Sequence, residues 1–291
     1  LDRHLTAGGA YGGRIAHGLL GSTLIQGMIS FDVPYIIGRG VPESYLLSFE
    51  TNYRGAIFLD DTIKICWKIV ELMDDPDQEG FGIVKTGVQV VNQDGQAVYD
   101  GNLTTKVRKR SGQGKRPQFK VGKPWQVKEF VLDPEKPYYL QDFIPEEGGT
   151  SSGRTYTEAD IVNFCGLGGD YNPVYVDAEF AKQTVFGERI VPPMMVFTSA
   201  FGLWARDSDV LKAKNPGGPT EAGHLLDAAT FLAPVKIRDT IRCLFKVGVT
   251  RVSKSKPDRG ILPFLFQMIN QRGEVVQEGQ TLMMRKAKTG S

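Results

Sequence analysis

Gly169-Asp170-Tyr171-Asn172-Pro173-Val174-Tyr175-Val176-Asp177, followed through Phe186-Gly-Glu-Arg189 by the uncharged run Ile190 to Ala205, decides how this chain of 291 residues is read. A polar turn closed by Asn172-Pro173 feeds a helix-length apolar segment. That order predicts a small loop hairpin delivering its side chains to the start of a buried helix. The same passage recurs near the N-terminus as Tyr11-Gly-Gly-Arg14-Ile15-Ala-His17-Gly18-Leu-Leu20, again followed by an uncharged run, to Phe31. Arg14 falls on Arg189 and Ile15 on Ile190, a constant offset of 175.

Outward from each helix the text alternates in strand-length pieces. Tyr45 to Thr51, Thr62 to Leu72, Gly82 to Asn92 and Ala97 to Val107 are separated by Asp-Asp-Pro-Asp and Asn-Gln-Asp-Gly turns, as antiparallel hairpins require. From Thr230 the pattern returns. Asp61-Thr62-Ile63 falls on Asp239-Thr240-Ile241, Gly82 on Gly260 and Asn92-Gln93 on Asn270-Gln271, all at an offset of 178. The three extra residues are expected in an exposed insertion, Asn215 to His224, and His224 with it. A repeat this long is too large for a solenoid and suits two sibling domains. The expected class is α+β, with two tandem units, each an antiparallel sheet wrapped around a central helix. Residues 1–110 form the first unit, 111–137 a linker and 138–291 the second unit.

The second unit carries a lead-in, with strand and turn from Tyr138 to Gly149 and a short helix over Thr155 to Phe164 that Thr157 caps. Projected back by 175, Asp177 falls on Asp2 and Tyr175 immediately before Leu1. The first unit's own lead-in and loop are therefore expected upstream of this chain.

Composition narrows the partners. A formal charge of +2 gives no reason to expect nucleic acid or an acidic membrane, and the basic stretch Lys106 to Lys123 reads as solvated linker. Cys66, Cys165 and Cys243 form no Cys-x-x-Cys pair, which argues against a disulfide framework or a zinc site and for buried free thiols in a reducing, cytoplasmic setting. The uncharged runs fall short of the roughly 20 residues of a membrane span. No signal-peptide pattern is present, although the chain opens on Leu1.

At Tyr156-Thr-Glu-Ala-Asp-Ile-Val-Asn-Phe164, Gly169 to Asp177 and Arg14-Ile-Ala-His17-Gly18-Leu, the sequence resembles the MaoC-like, R-specific enoyl-CoA hydratase/dehydratase family, in its two-unit double hot-dog form. The family loop reads D-x-N-P-x-H. The resemblance implies reversible hydration of an enoyl-CoA or dehydration of a 3-hydroxyacyl-CoA. The loop Asp and His would act as base and acid, and the backbone N–H of the Gly in H-G would receive the charge that builds on the thioester oxygen. It also implies an acyl-CoA substrate, coenzyme A as part of that substrate and no other cofactor, no metal, and a homodimer or higher homo-oligomer.

Against that pattern the second unit departs twice. Tyr175 replaces the His, and a phenol with a pKa near ~10 is a poor proton shuttle at neutral pH. Pro193 stands where the Gly belongs and has no N–H. Asp170 and Asn172 remain and read as loop braces. The first unit keeps Gly18 as oxyanion donor. Its Asp and His project upstream of Leu1. His17 is a candidate for positioning the loop or a structural histidine, and His4 reads as a surface residue. Asp60 and Arg238 replace the glycine of the family's Gly-Asp-Thr strand opening, which leaves that turn's geometry open. A hot-dog thioesterase and a non-catalytic acyl-thioester-binding protein are the alternative readings.

Overall fold

The computed structural model describes residues 11–32, 45–112, 118–214, 216 and 223–289. His4, residues 113–117 of the linker, most of the 215–224 insertion and everything before Tyr11 lie outside them. The first copy is helix α1 (Gly18–Asp32) and strands β1 (Tyr45–Tyr53), β2 (Lys64–Asp74), β3 (Phe81–Val91) and β4 (Ala97–Arg108). The second opens with β5 (Lys128–Glu129), β6 (Glu147–Thr150) and β7 (Arg154–Thr155). Four helices follow: α2 (Glu158–Gly168), α3 (Pro173–Val176), α4 (Ala178–Lys182) and the long α5 (Pro193–Asp207). A last turn, α6 (Asp209–Lys212), precedes β8 (His224–Phe231), β9 (Thr240–Val247), β10 (Arg251–Val252), β11 (Arg259–Ile269) and β12 (Val275–Lys286).

The offsets read from sequence reappear in the fold. The entry to each central helix is pinned by the same bridge, Ile15 with Phe58 and Ile190 with Lys236. Each strand opening repeats one turn. The Asp61 carboxylate accepts the Phe58 N–H (2.7 Å) and a Gln93 amide hydrogen (2.8 Å), and Asp239 accepts the Lys236 N–H (2.9 Å) and Gln271 (2.6 Å). The preceding residue is left-handed in both copies, φ 70° at Asp60 and 75° at Arg238. The turn therefore keeps the conformation a glycine would favour, held by the aspartate that follows, at a steric cost to the two side chains.

The strands join in one sheet of order β2-β3-β4-β1-β8-β12-β11-β9-β6-β5, and the antiparallel pair β1–β8 (Ser48 opposite Thr230, Asn52 opposite Leu226) fuses the two halves. One helix lies against each half. Along α5, Met194, Phe197, Ala200, Leu203 and Trp204 are buried, and each large side chain contributes roughly 1.5–3 kcal/mol on leaving water. The apolar run without charge thus becomes a core helix because it has no solvent face to offer.

Four details differ from expectation. The Gly169–Asp177 passage is not a hairpin. Asn172 accepts the Val174 N–H (3.1 Å) and starts α3, while Asp177 accepts the N–H groups of Glu179 and Phe180 and starts α4, because Asx side chains cap helical turns more readily than they close two-residue hairpins. Tyr138 to Gly149 contributes a 3-10 turn, Leu140–Asp142, before β6. The stretch expected as linker runs against the second unit: Gly122 bridges Val275, Phe130 is buried and β5 pairs in parallel with β6. His224 opens β8 instead of sitting in an exposed loop.

One other contact fixes how the halves meet. A Cβ on Gly27 of α1 would stand 1.6 Å from the Gly168 carbonyl oxygen, so α1 and the end of α2 touch backbone to backbone. The outer edge of β9 carries β6 and β7, whereas among the described residues β2 pairs only with β3 and leaves Trp67, Ile69, Leu72 and Met73 exposed, together with Cys66, which was expected to be buried like Cys165 and Cys243.

Candidate active site

Each unit presents the start of its central helix to the seam, and the two starts differ residue for residue. α1 begins at Gly18, which is partly exposed, with His17 beside it, open to solvent on one side while its ring packs against Phe201 on the other. The N–H groups of a first helical turn have no intrahelical acceptor and lie at the positive end of the helix dipole. The His17 Nδ1 accepts the Leu19 N–H at 3.3 Å, so its ring caps the helix. The Gly18 carbonyl accepts hydrogen bonds from Tyr99 (3.4 Å) and Ser22 (3.5 Å), which fixes the turn.

A polar network crosses the seam just behind this turn. The Tyr53 hydroxyl donates to Asp227 Oδ2 at 2.5 Å and stands 3.2 Å from Ser22 Oγ. The other carboxylate oxygen, Oδ1, lies 2.8 Å from His224 Nε2, and Thr281 Oγ1 is 2.7 Å from the same nitrogen. Phe201 of α5 stacks on His224 (centroids 5.6 Å apart) and meets the His17 ring edge-on at 6.1 Å. A Cβ at Gly18 would stand 3.0 Å from the Tyr53 ring, so glycine lets the phenol close over the helix start.

Burial sets the protonation states. Tyr53 is held well above the ordinary phenol range, first by loss of solvent and then by the charge and hydrogen bond of Asp227, so it remains a donor. Tyr99 is pushed up to about 12 by burial and then by Asp227. The His17 imidazole is lowered by burial and then by neighbouring His224, with Asp227 pulling the other way.

The pseudo-equivalent start of α5 is dry. Pro193 takes the place of Gly18 at the first helical position, Phe197 that of Ser22, Phe231 that of Tyr53 and Phe49 that of Asp227. Phe49 packs edge-on to Phe197 at 4.9 Å and stacks on Phe231 at 6.1 Å. Only the strand-to-helix tie survives: Gln277 donates to the Pro193 carbonyl at 3.2 Å, as Tyr99 does to Gly18. The loop residues of this unit are interior, with Asp170, Asn172 and Tyr175 all under a twentieth exposed. The Tyr175 phenol is raised far above its usual range, first by burial, then by Asp170 and Cys165. Such a group neither reaches a substrate in solvent nor gives up its proton near neutrality.

The residues singled out in the sequence therefore divide. His17 and Gly18 stand together at an open helix start, while Asp170, Asn172, Tyr175 and Pro193 lie in the packed second half. Sequence reasoning missed Tyr53, His224, Asp227 and Thr281. One signal was available, because Asp227 interrupts the apolar strand Leu225-Leu226-Asp227-Ala228-Ala229 at the position of Phe49, a buried phase of the repeat.

A groove of about 600 Å³ also crosses the seam, lined by Ser48, Glu50, Lys85, Asn102, Trp125 and Glu278 among others. Its lining contains no helix residue, so it offers surface without the aligned N–H groups of a helix start. Among the described residues no group of three or more His, Cys, Asp or Glu side chains could hold a metal ion, and no helix is long and apolar enough to cross a membrane.

Residues 141–259 match the MaoC like domain. The (R)-specific enoyl-CoA hydratase of Rhodospirillum rubrum is 31% identical over 153 residues, which cover 52% of this chain and 94% of that one. Protein MaoC of Klebsiella aerogenes is 33% identical over 126 residues, 42% of this chain, and this chain spans only 35% of its length. Among solved structures, a MaoC domain protein dehydratase from Chloroflexus aurantiacus superposes with a TM-score of 0.71 at 16% identity, covering 96% of this chain and 84% of that one. A Mycobacterium tuberculosis protein described as a double hotdog fold gives 0.66 at 14% identity, over 98% and 86%. The fold is thus the double hot dog, and the chain belongs to the MaoC-like dehydratase family.

Proposed function

We propose that this chain adds water reversibly to a 2-enoyl thioester of coenzyme A, or removes it from the 3-hydroxyacyl thioester, at the start of α1. The observation that carries the reading is the Gly18 N–H, which opens the helix on an accessible, polar face while its counterpart Pro193 has no hydrogen to give. In that site the thioester oxygen accepts the Gly18 hydrogen bond, and the helix dipole favours the negative charge that develops on it as water adds. The second unit supplies the far wall of the seam and room for the acyl chain. The names of two relatives support the chemistry: the R. rubrum hydratase and the 3-hydroxybutyryl-CoA dehydratase of Methylorubrum extorquens, 32% identical over 94 residues that span 53% of that protein. Addition of water to a conjugated alkene needs no electron acceptor, so the reading includes coenzyme A only as part of the substrate. A cytoplasmic homodimer or higher homo-oligomer belongs to the same proposal.

The test is loss of the conjugated enoyl absorbance of crotonyl-CoA on mixing with the full chain. Thiol release in place of hydration would make the protein a thioesterase, and binding without either change an acyl-thioester scaffold. Gly18→Pro and Gly18→Ala then isolate the N–H. Both introduce the Cβ that crowds Tyr53, but only proline removes the donor, and the first helical position tolerates proline as it does in α5. Gly18→Pro is expected to lower kcat about 10²–10³-fold below Gly18→Ala.

A further inference from the structure

The hairpin that leads into the last two long strands carries opposite charge in the two units. In the first, the stretch from Met73 to Glu79 between β2 and β3 holds the carboxylates of Asp74, Asp75, Asp77 and Glu79. In the second, the offset of 178 puts Arg251 to Pro257 in their place, with Arg251, Lys254 and Lys256 and no acid, and sets Arg259 on Phe81. One backbone thus accepts either sign, so the fold does not call for the positive one.

Neutralisation differs as well. Asp75 is buried against Lys106 of β4 at 2.5 Å, and the same ammonium donates to Gln78 at 2.8 Å. The positions of Asp75 and Lys106 are taken in the second unit by Ser253 and Met284, which border a cleft of about 550 Å³. Arg251, Lys254, Lys256 and Arg259 line this cleft and no carboxylate does. Leu225, Ile261 and Met284 give it an apolar side. Asp258, beside the cleft, accepts two hydrogen bonds from Arg259 (2.7 and 3.1 Å) and holds it in place. Among the described residues no carboxylate lies within ion-pair distance of Arg251, Lys254 or Lys256. Cations gathered in this way repel one another, and an anion between them relieves the repulsion.

The basic cleft stands beside the helix start that has an N–H to offer. Leu225 follows His224, whose ring centroid is 4.8 Å from that of Tyr53, and Tyr53 closes over Gly18. The acidic hairpin goes with the other start: Asp75 acts on Tyr45, whose ring meets Phe186, on the entry to α5, at 6.0 Å.

We propose that this cleft holds the 3′-phosphoadenosine diphosphate end of the coenzyme A thioester, with the phosphates on the cations and the adenine on the apolar side. The assignment rests on the hydration reading above and deepens it, because it selects a nucleotide-bearing thioester over a carrier-protein one. Size supports the nucleotide: the cleft falls within the roughly 300–1,000 Å³ of small-molecule sites, whereas a docked protein needs on the order of 800 Å² of surface on each partner. The arginine forks suit phosphate oxygens in pairs, and the lysines add mobile point charges. The pantetheine arm spans the path from Gly18 past Tyr53 and His224 to Leu225.

The experiment uses the full chain. Adenosine 3′,5′-bisphosphate is expected to bind in a calorimetric titration, more weakly as salt is raised. Lys254→Ser combined with Lys256→Ser is expected to weaken that binding, and to raise KM for crotonyl-CoA, about tenfold or more with kcat little changed. Lys64→Ser combined with Lys68→Ser removes the same charge from β2 and is expected to do neither. All four lysines are exposed, so the melting curves are expected to stay together. With crotonyl-pantetheine, which has no nucleotide, the KM difference between parent and cleft variant is expected to vanish. No binding of the bisphosphate by the parent, or equal KM for crotonyl-CoA in parent and cleft variant, overturns the assignment and leaves the hydration reading standing. A KM effect confined to a crotonyl carrier protein also overturns it and makes the cleft a protein-docking site. A parent that binds the bisphosphate through Lys254 and Lys256 yet is inert toward every 2-enoyl-CoA supports the cleft and overturns the hydration reading alone.

Discussion

Asp227 and Phe49 hold the same position in the two halves of the molecule, yet Asp227 accepts the Tyr53 hydroxyl at 2.5 Å where Phe49 lays its ring 4.9 Å from Phe197. One backbone geometry thus supports a wholly apolar cluster on one side of the seam and a hydrogen-bonded one on the other. The polar version is stable only while each member keeps its partners. Tyr53→Phe is expected to cost about 1–3 kcal/mol by leaving buried Asp227 one donor short. Adding Asp227→Leu should return part of that loss, so a double-mutant cycle by urea denaturation at pH 7 should show a coupling of at least ~0.5 kcal/mol. Additive losses would mean that the two residues act independently and that the network is not a unit.

Much of this architecture was written in the repeat. The offsets of 175 and 178 place both central helices and the long strands, because a segment with no polar face must be buried and an Asn-Gln-x-Gly turn can only end a hairpin. The difference between the two helix starts was legible for a local reason: whether a helix start has an N–H is a property of one residue, Gly18 or Pro193. The His224–Asp227–Tyr53 network was not legible, because its members come from β8 and β1 and meet only when the two halves share a sheet edge. The loop around Asn172 was misread for want of its caps, which the sequence contains but does not orient.

Gly27 is the clearest packing constraint that the sequence left unmarked. Any side chain there would drive a methyl group to 1.6 Å from the Gly168 carbonyl oxygen, a backbone atom that cannot step aside without moving α2 and the Asp170 loop. Gly27→Ala is expected to destabilise by about 1–3 kcal/mol or more, despite alanine's higher helix propensity. Gly166, also helical but facing open space, is the control, and Gly166→Ala is expected to gain up to about 1 kcal/mol. Chemical denaturation of both variants checks the pair, and equal shifts in the same direction would refute the contact.

Arg238 stores strain in the second strand opening. Its φ of 75° costs a side-chain-bearing residue about 1–2 kcal/mol, and glycine recovers that at an entropic cost of roughly 0.5–1 kcal/mol. Arg238→Gly is therefore expected to stabilise by up to about 1 kcal/mol and raise the melting temperature. Asp60→Gly should gain less, since a short polar side chain tolerates the left-handed region better. A fall in melting temperature for Arg238→Gly would show that the arginine makes compensating contacts.

His17 makes stability depend on pH in a direction the geometry fixes. Burial, then His224, holds its imidazole below the ordinary value near 6.5, so the folded chain binds fewer protons than the unfolded one between the lowered value and about 6.5. The sign follows: stability rises with pH through that window and is lost as pH falls, because the unfolded chain takes up the proton first. Asparagine at this position keeps an acceptor for the Leu19 N–H but cannot titrate. His17→Asn is expected to match the parent in urea midpoint at pH 7.5 and to exceed it at pH 5.5. Parallel midpoints at both pH values would mean that the packed side of the His17 ring is not desolvated and feels no charge from His224, and would remove the electrostatic link between the rim of the site and its interior.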